Sequence, residues 1–285
     1  MRAFWLLMAV CIGGCAAPKS GILVMAHGGS AAWNENIEAA VAPLQDKYPT
    51  EIAFGMARTS TIRDAVQRLE KRGVRRIAVV RMFMSGDSFL ETTEYILGKR
   101  DSLPGAHHGS GGGGHHMEAP KQITTHASLV VSRGGVGESP LVDQILADRV
   151  KALSTNPSEE SVLILAHGPR DEAENERWLA NMRLRAQEVH ELGAFRHVQC
   201  ETLREDWPER RAEAERRIKA YVEAGGRDGG RVIVVPFRIG GFGPYRKILD
   251  GLDYVADERA FCPHPNMTRW IEQTAEECLA GGANS

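Results

Sequence analysis

The chain has 285 residues, 42% hydrophobic and 25% charged, with a formal net charge of -2. That length suits one large or two modest domains, and the apolar fraction is enough for packed cores, which excludes wholesale disorder. A near-neutral balance, with Lys and Arg spread along the chain, excludes a nucleic-acid binder, which would carry a basic surplus or stripe.

One long apolar run opens the chain. Ala3 to Gly14 is too short to span a bilayer. Arg2 precedes it and Ile12-Gly13-Gly14-Cys15 closes it. Residues 1–19 therefore resemble a bacterial lipoprotein signal and tether, in which small residues precede a cysteine that is cleaved at and lipidated. Lipidation at Cys15 implies an exported protein of the periplasm or cell envelope, membrane-bound through its lipid anchor only.

The run from Gly21 to Ala26 (GILVMA) is unbroken and apolar, as expected of a parallel strand buried on both faces, and it ends in His27-Gly28. An amphipathic helix is predicted over Thr61–Arg72, then a second buried strand over Ile77–Val80, followed by Arg81-Met-Phe-Met and Asp87. Residues 98–127 read as a flexible insertion, with a four-glycine tract between His107-His108 and His115-His116, and His126 beyond. Its neutral imidazoles suit capture of zinc, copper, nickel or cobalt. A helical run from Glu138 to Leu153 and a polar linker at Ser154–Ser158 close this part.

The pattern then repeats. Ser161 to Ala166 (SVLILA) ends in His167-Gly168, Pro208–Ala224 reads as a helix, Val232–Val235 as a strand, and Pro263-His264-Pro265 opens a helical run to Leu279. Four landmarks in the same order predict two similar α/β domains, 20–153 and 159–280, each a parallel sheet flanked by helices. Ligands of such sheets gather beyond the carboxyl ends of the strands, where both His27 and His167 fall. No C-x-x-C pair occurs; the spacing allows a Cys262–Cys278 disulfide in an oxidising compartment.

The two Ala-His-Gly strand ends, the Ile-Ala-Val-Val strand followed by Met-Phe-Met, and the second half built alike resemble the class II chelatase family, the sirohydrochlorin cobalto- and ferrochelatases. The resemblance covers most of residues 20–280. It implies two similar chelatase-like domains that insert a divalent metal (cobalt, iron or nickel) into a tetrapyrrole, with no nucleotide and no nucleic acid. By that resemblance His27 and His167 are metal ligands and proton acceptors, and Arg58, Arg204, Arg238 and Arg246 are candidates to pair with the acidic side chains of the ring.

The pattern also departs from the family's. Its second histidine follows the later strand, yet neither the stretch from Arg81 to Asp87 nor that from Pro236 to Gly243 contains one. Asp87 can offer an oxygen ligand instead, His264 can replace the missing imidazole, and Phe242 can only stack or pack. The family's acidic residue has Glu201 near its place in the second half and Met56 in the first. Two readings stay open: a chelatase, or a non-catalytic exported protein that binds metal or tetrapyrrole on the same fold. A hydrolase built on Gly86-Asp87-Ser88 is disfavoured, because neither Gly-x-Ser-x-Gly nor an Asp-x-x-His base accompanies it. The glycine-rich turns at Gly134–Gly137 and Gly240–Gly243 match neither a dinucleotide fingerprint nor a P-loop.

Overall fold

The structure is a computed structural model that describes residues 18–103 and 119–281. Cys15 and four of the loop histidines (His107, His108, His115 and His116) lie outside the described residues.

The first part of the chain runs β1 (Ser20–Ala26), α1 (Ala31–Val41), β2 (Thr50–Phe54), α2 (Thr59–Lys71), β3 (Arg76–Met82), α3 (Leu90–Ile96), β4 (Ser128–Val131) and α4 (Leu141–Lys151). The second runs β5 (Glu160–Ala166), α5 (Glu172–Arg185), α6 (Gln187–Glu191), β6 (His197–Thr202), α7 (Pro208–Gly225), β7 (Arg231–Pro236), α8 (Tyr245–Ile248), β8 (Val255–Ala256) and α9 (Pro265–Gly281). Among the described residues they form two four-stranded parallel sheets, ordered β2-β1-β3-β4 and β6-β5-β7-β8. The predicted α/β class and the parallel sheets flanked by helices are what the structure shows.

Strand alternation explains the layers. Ile22, Val24 and Ala26 of β1 join Val162, Ile164 and Ala166 of β5 in one continuous core between the sheets. The alternate residues face outward: Leu23 and Met25 pack with Ile62, Val66 and Leu69 of α2, while Leu163 and Leu165 pack with Ile218 and Val222 of α7. Each central strand is buried on both faces, hence its unbroken apolar sequence.

The last helix of each half crosses over. α9 packs against β3 and α1 of the first sheet. There Thr268 Oγ1 donates to Ala40 O at 2.7 Å, Lys47 pairs with Glu272 at 2.9 Å, and Arg76 donates to Leu279 O. α4 packs against β7, α5 and α6 of the second sheet. The helical runs expected near 138–153 and 263–279 are present, but each covers the sheet of the other half, so a cut at Ser154–Ser158 parts the sheets and not the layers.

Where α4 meets α5, the carboxylate of Asp143 lies 3.1 Å from Nη1 of Arg185, both nearly buried. The approach is off the hydrogen-bonding direction, leaving Asp143 Oδ1 and Arg185 Nε and Nη1 without hydrogen bonds. Burial pushes the Asp143 carboxyl up to about 6, against the pull of Arg185. A carboxyl raised in the folded state stabilises the fold in its protonated form, and that contribution is lost as pH rises toward about 6. Wild type is expected to lose roughly 3 kcal/mol relative to Asp143→Asn between pH 4 and 7, read from urea unfolding of both proteins across that range. Parallel curves would show that Asp143 titrates normally.

The Cys262–Cys278 disulfide that the spacing allows is not formed. Cys200, Cys262 and Cys278 are free and buried, and burial pushes the first two thiols up to about 12. No helix among the described residues is long and apolar enough to cross a membrane.

Candidate functional site

His27 and His167 both stand just past a central strand, at the carboxyl edge of their sheets. In each, Nδ1 meets the carbonyl of the following glycine, at 3.0 Å for Gly28 and 2.7 Å for Gly168. A carbonyl only accepts, so Nδ1 carries the proton; at His27 this leaves Nε2 with its lone pair, the arrangement of a metal-ligating histidine. Gly168 is required here twice: its φ is +79°, and a Cβ would come within 2.6 Å of Thr202 Cβ. Asn34-Glu35 and Asn175-Glu176 stand at like places in the two halves, and the asparagines serve the strand-end loops. Asn34 accepts from the Gly29 N–H at 3.0 Å, and Asn175 accepts from the Thr202 hydroxyl at 2.6 Å, each tying a loop at the strand ends.

Beyond this the halves differ. His27 is exposed and has an aromatic neighbour, Trp33, edge-on at 6.5 Å; Trp33 in turn donates to Gly240 O of the second half at 3.2 Å. Among the described residues no carboxylate meets its Nε2. His167 is half-buried, with Trp207 edge-on at 5.7 Å, and its Nε2 lies 2.8 Å from Asp206 Oδ2. With Nδ1 already donating to a carbonyl, this second contact is held by one proton shared between imidazole and carboxylate, which a divalent cation can replace.

Asp206 is the residue that sequence reading missed. Glu201, expected near the acidic position, lies within β6, buried, accepting from Gln199 at 2.8 Å and pairing with Arg217 at 3.5 Å. The available signal was the acidic pair Glu205-Asp206 directly before Trp207-Pro208, where α7 opens. The turns after β2 and β6 each hold a left-handed residue, Ala57 in the first half (φ 52°) and Arg204 in the second (φ 59°). Met56 has no acidic counterpart beside it.

The other expected site residues are dispersed. His264 opens α9, where its Nδ1 accepts from Asn266 N–H and its Nε2 contacts Asp148, both at 3.1 Å, and burial lowers its pKa. Both ring nitrogens serve the fold there. His126 is exposed at the amino end of β4, on the opposite edge of the sheet from His27; its backbone N–H donates to Glu70 at 2.7 Å. The segment just before it is also fixed, Lys121 N–H donating to Thr59 Oγ1 at 3.0 Å. Arg204 is buried and bonded to loop carbonyls, Arg238 pairs with Glu205 and lies over the Tyr245 ring, and Arg246 pairs with Glu258. Arg58 is exposed, at the start of α2, with no ion-pair partner among the described residues. Phe242 packs on Tyr245 and Tyr254.

Asp87 lines a cavity of about 510 Å³ at the junction of the halves. Met84, Ser85 and Glu138 of the first half line it with Glu174, Arg177, Trp178, Asn181 and Phe237 of the second. Asn181 spans the junction, donating to Gly137 O at 2.6 Å. Three carboxylates and a guanidinium stand around an aromatic wall there. Among the described residues no three His, Cys, Asp or Glu side chains converge as a metal-holding group.

Comparison with known proteins agrees with this architecture. Residues 21–153 match the sequence model of the CbiX family. No curated protein matches the chain at a significant level. Among solved structures, SirB from Bacillus subtilis with Fe3+ superposes with a TM-score of 0.62 at 14% identity, over 94% of this chain and 98% of that one. The sirohydrochlorin chelatase SirB from Bacillus subtilis subspecies spizizenii in complex with cobalt gives 0.56 at 14% identity, over 92% and 97%. DR2241 from Deinococcus radiodurans, a multi-domain protein with structural similarity to chelatases, gives 0.54 at 15% identity, over 91% of this chain and 55% of that one. The chain therefore has the chelatase fold across both halves, and its first half is similar in sequence to CbiX.

Proposed function

We propose that the chain is a sirohydrochlorin-type chelatase, built from two similar halves, that inserts a divalent metal into a tetrapyrrole. The observation that carries this reading is the His167–Asp206 contact of 2.8 Å, with the imidazole fixed from behind by Gly168 O. The similarity of residues 21–153 to CbiX, a class II chelatase family, and the SirB fold support it. In the same reading the protein is exported and lipid-anchored through Cys15.

Insertion exchanges two pyrrole protons for one divalent cation. The ion must be held without being trapped, and the protons need acceptors. Two side-chain ligands give a weak site, and the imidazole and the carboxylate each accept a proton once the ion has left them for the ring. The cavity at the junction offers the aromatic Trp178 to a macrocycle face and Arg177 to a ring carboxylate. His27, with an open Nε2 and no carboxylate, is the weaker of the two histidines.

One observation favours the second reading, a protein that binds metal or tetrapyrrole without insertion: the described residues hold no three-ligand group. Anaerobic incubation with sirohydrochlorin and Co²⁺, Fe²⁺ or Ni²⁺, followed by absorption spectroscopy, separates the two. Insertion above the spontaneous rate, lost in a His167→Ala/Asp206→Ala protein, is the expected result. A spectrum that shifts on mixing and never converts would establish the binding protein instead.

A further inference from the structure

We infer that Arg204 is the positioning residue that sets the His167–Asp206 pair; this rests on the proposed function for what the pair does. His167 and Asp206 hang from different loops, one after β5 and one after β6, so something must hold the loops in register. Arg204 joins them from both its ends.

Its backbone N–H donates to the His167 carbonyl at 2.7 Å, with the Glu205 N–H on the same oxygen at 3.3 Å. Its side chain turns back under the other loop. Nε donates to Pro169 O at 2.5 Å, Nη2 to Arg170 O at 2.5 Å, and Nη1 to the Glu172 carboxylate at 3.2 Å. The residue is 3% exposed, so these bonds are shielded from water. It sits at a left-handed φ of 59°, a conformation a non-glycine residue holds only when its surroundings over-determine it. The first half offers the control within the same molecule: its left-handed residue at this turn is Ala57, which has no such reach, and its histidine has no carboxylate partner.

No other side chain can replace this fork. A lysine reaches one or two of the acceptors as a point charge, whereas the guanidinium serves several at fixed angles. Arg204 does not present its guanidinium to a ligand, so its effect runs through the geometry of the pair.

The test compares wild type, Arg204→Lys, Arg204→Met and Asp206→Ala as full-length proteins. The first readout is the ¹H–¹⁵N correlation of the His167 ring in metal-free protein. A slowly exchanging ring signal dependent on Asp206 is expected in wild type, lost in Arg204→Met and broadened in Arg204→Lys. The second is Co²⁺ affinity, expected to fall about 10- to 100-fold in Arg204→Met and less in Arg204→Lys, the range for partners that orient a metal ligand. If Arg204→Met does not fold, the lysine variant carries both readouts. A wild-type ring signal and Co²⁺ affinity in a folded Arg204 variant, with both lost in Asp206→Ala, would overturn the positioning role while leaving the pair intact. Equal Co²⁺ affinity in wild type and Asp206→Ala, with the ring signal still dependent on Arg204, would overturn the proposed function of the pair and keep the positioning.

Discussion

Replacing Asp206 with alanine is expected to weaken Co²⁺ binding on the order of 100-fold, and replacing His167 to do the same, whereas His27→Ala changes affinity by only about two- or three-fold. The difference follows from the second ligand. Asp206 and His167 Nε2 stand 2.8 Å apart, so one ion can take both, while the His27 ring meets only Gly28 O and the edge of Trp33. A folded Asp206→Ala protein is expected, since the side chain is partly exposed and supports no other element. Isothermal titration with Co²⁺ at fixed pH checks all three variants. If His27→Ala were the one that abolished binding, the active half would be the first, and the second-half pair would be a structural contact.

The second large effect falls on stability. Arg81 is 1% exposed at the end of β3, yet it carries a charge into the core. Its guanidinium donates to Ser132 O at 2.9 Å, Ser88 O at 2.8 Å, Gly86 O at 2.5 Å and Arg133 O at 3.2 Å, closing the loop after β3 onto the end of β4. Methionine keeps the volume and leaves these carbonyls without their donor. Breaking such a buried charged network costs about 3–5 kcal/mol, or roughly 8–15 °C in melting temperature for a chain of this size. Arg81→Lys is expected to recover only part of it. Thermal unfolding by circular dichroism decides the point: a shift of a degree or two would mean that water satisfies the carbonyls and the loop stands unaided. The same loop lines the junction cavity through Ser85 and Asp87, so a loosened loop also alters what the cavity can hold.

The central strands were the legible part of the fold. β1, β3, β5 and β7 are buried on both faces, and sequence shows that as unbroken apolar runs. β2 and β6 pair on one side only, and their mixed sequences, TEIAF and HVQCET, carry no such signal. The crossover of α4 and α9 was not legible because an apolar helix face says that it is buried and not against which sheet. Among the candidate site residues, the place of His27 and His167 at the strand ends could be read from the sequence. Asp206 could not, because its value depends on a loop one residue longer than its first-half counterpart. Arg204 and Arg238 looked like surface charges offered to a substrate; in the fold Arg204 is buried with its guanidinium bonded to the loop after β5, and Arg238 is paired with Glu205. His264 misled in the same way, since a helix-opening role and a ligand role share one residue type.

The crossover of the last helices has a consequence for synthesis. The first sheet is finished at β4, but α9, which shares the core of its inner face with α1, is made only after every strand of the second sheet. The first half therefore has all its layers only once α9 has been made, after the second sheet. Neither sheet is covered on both faces until both halves exist, so the two are expected to become native together and not one after the other.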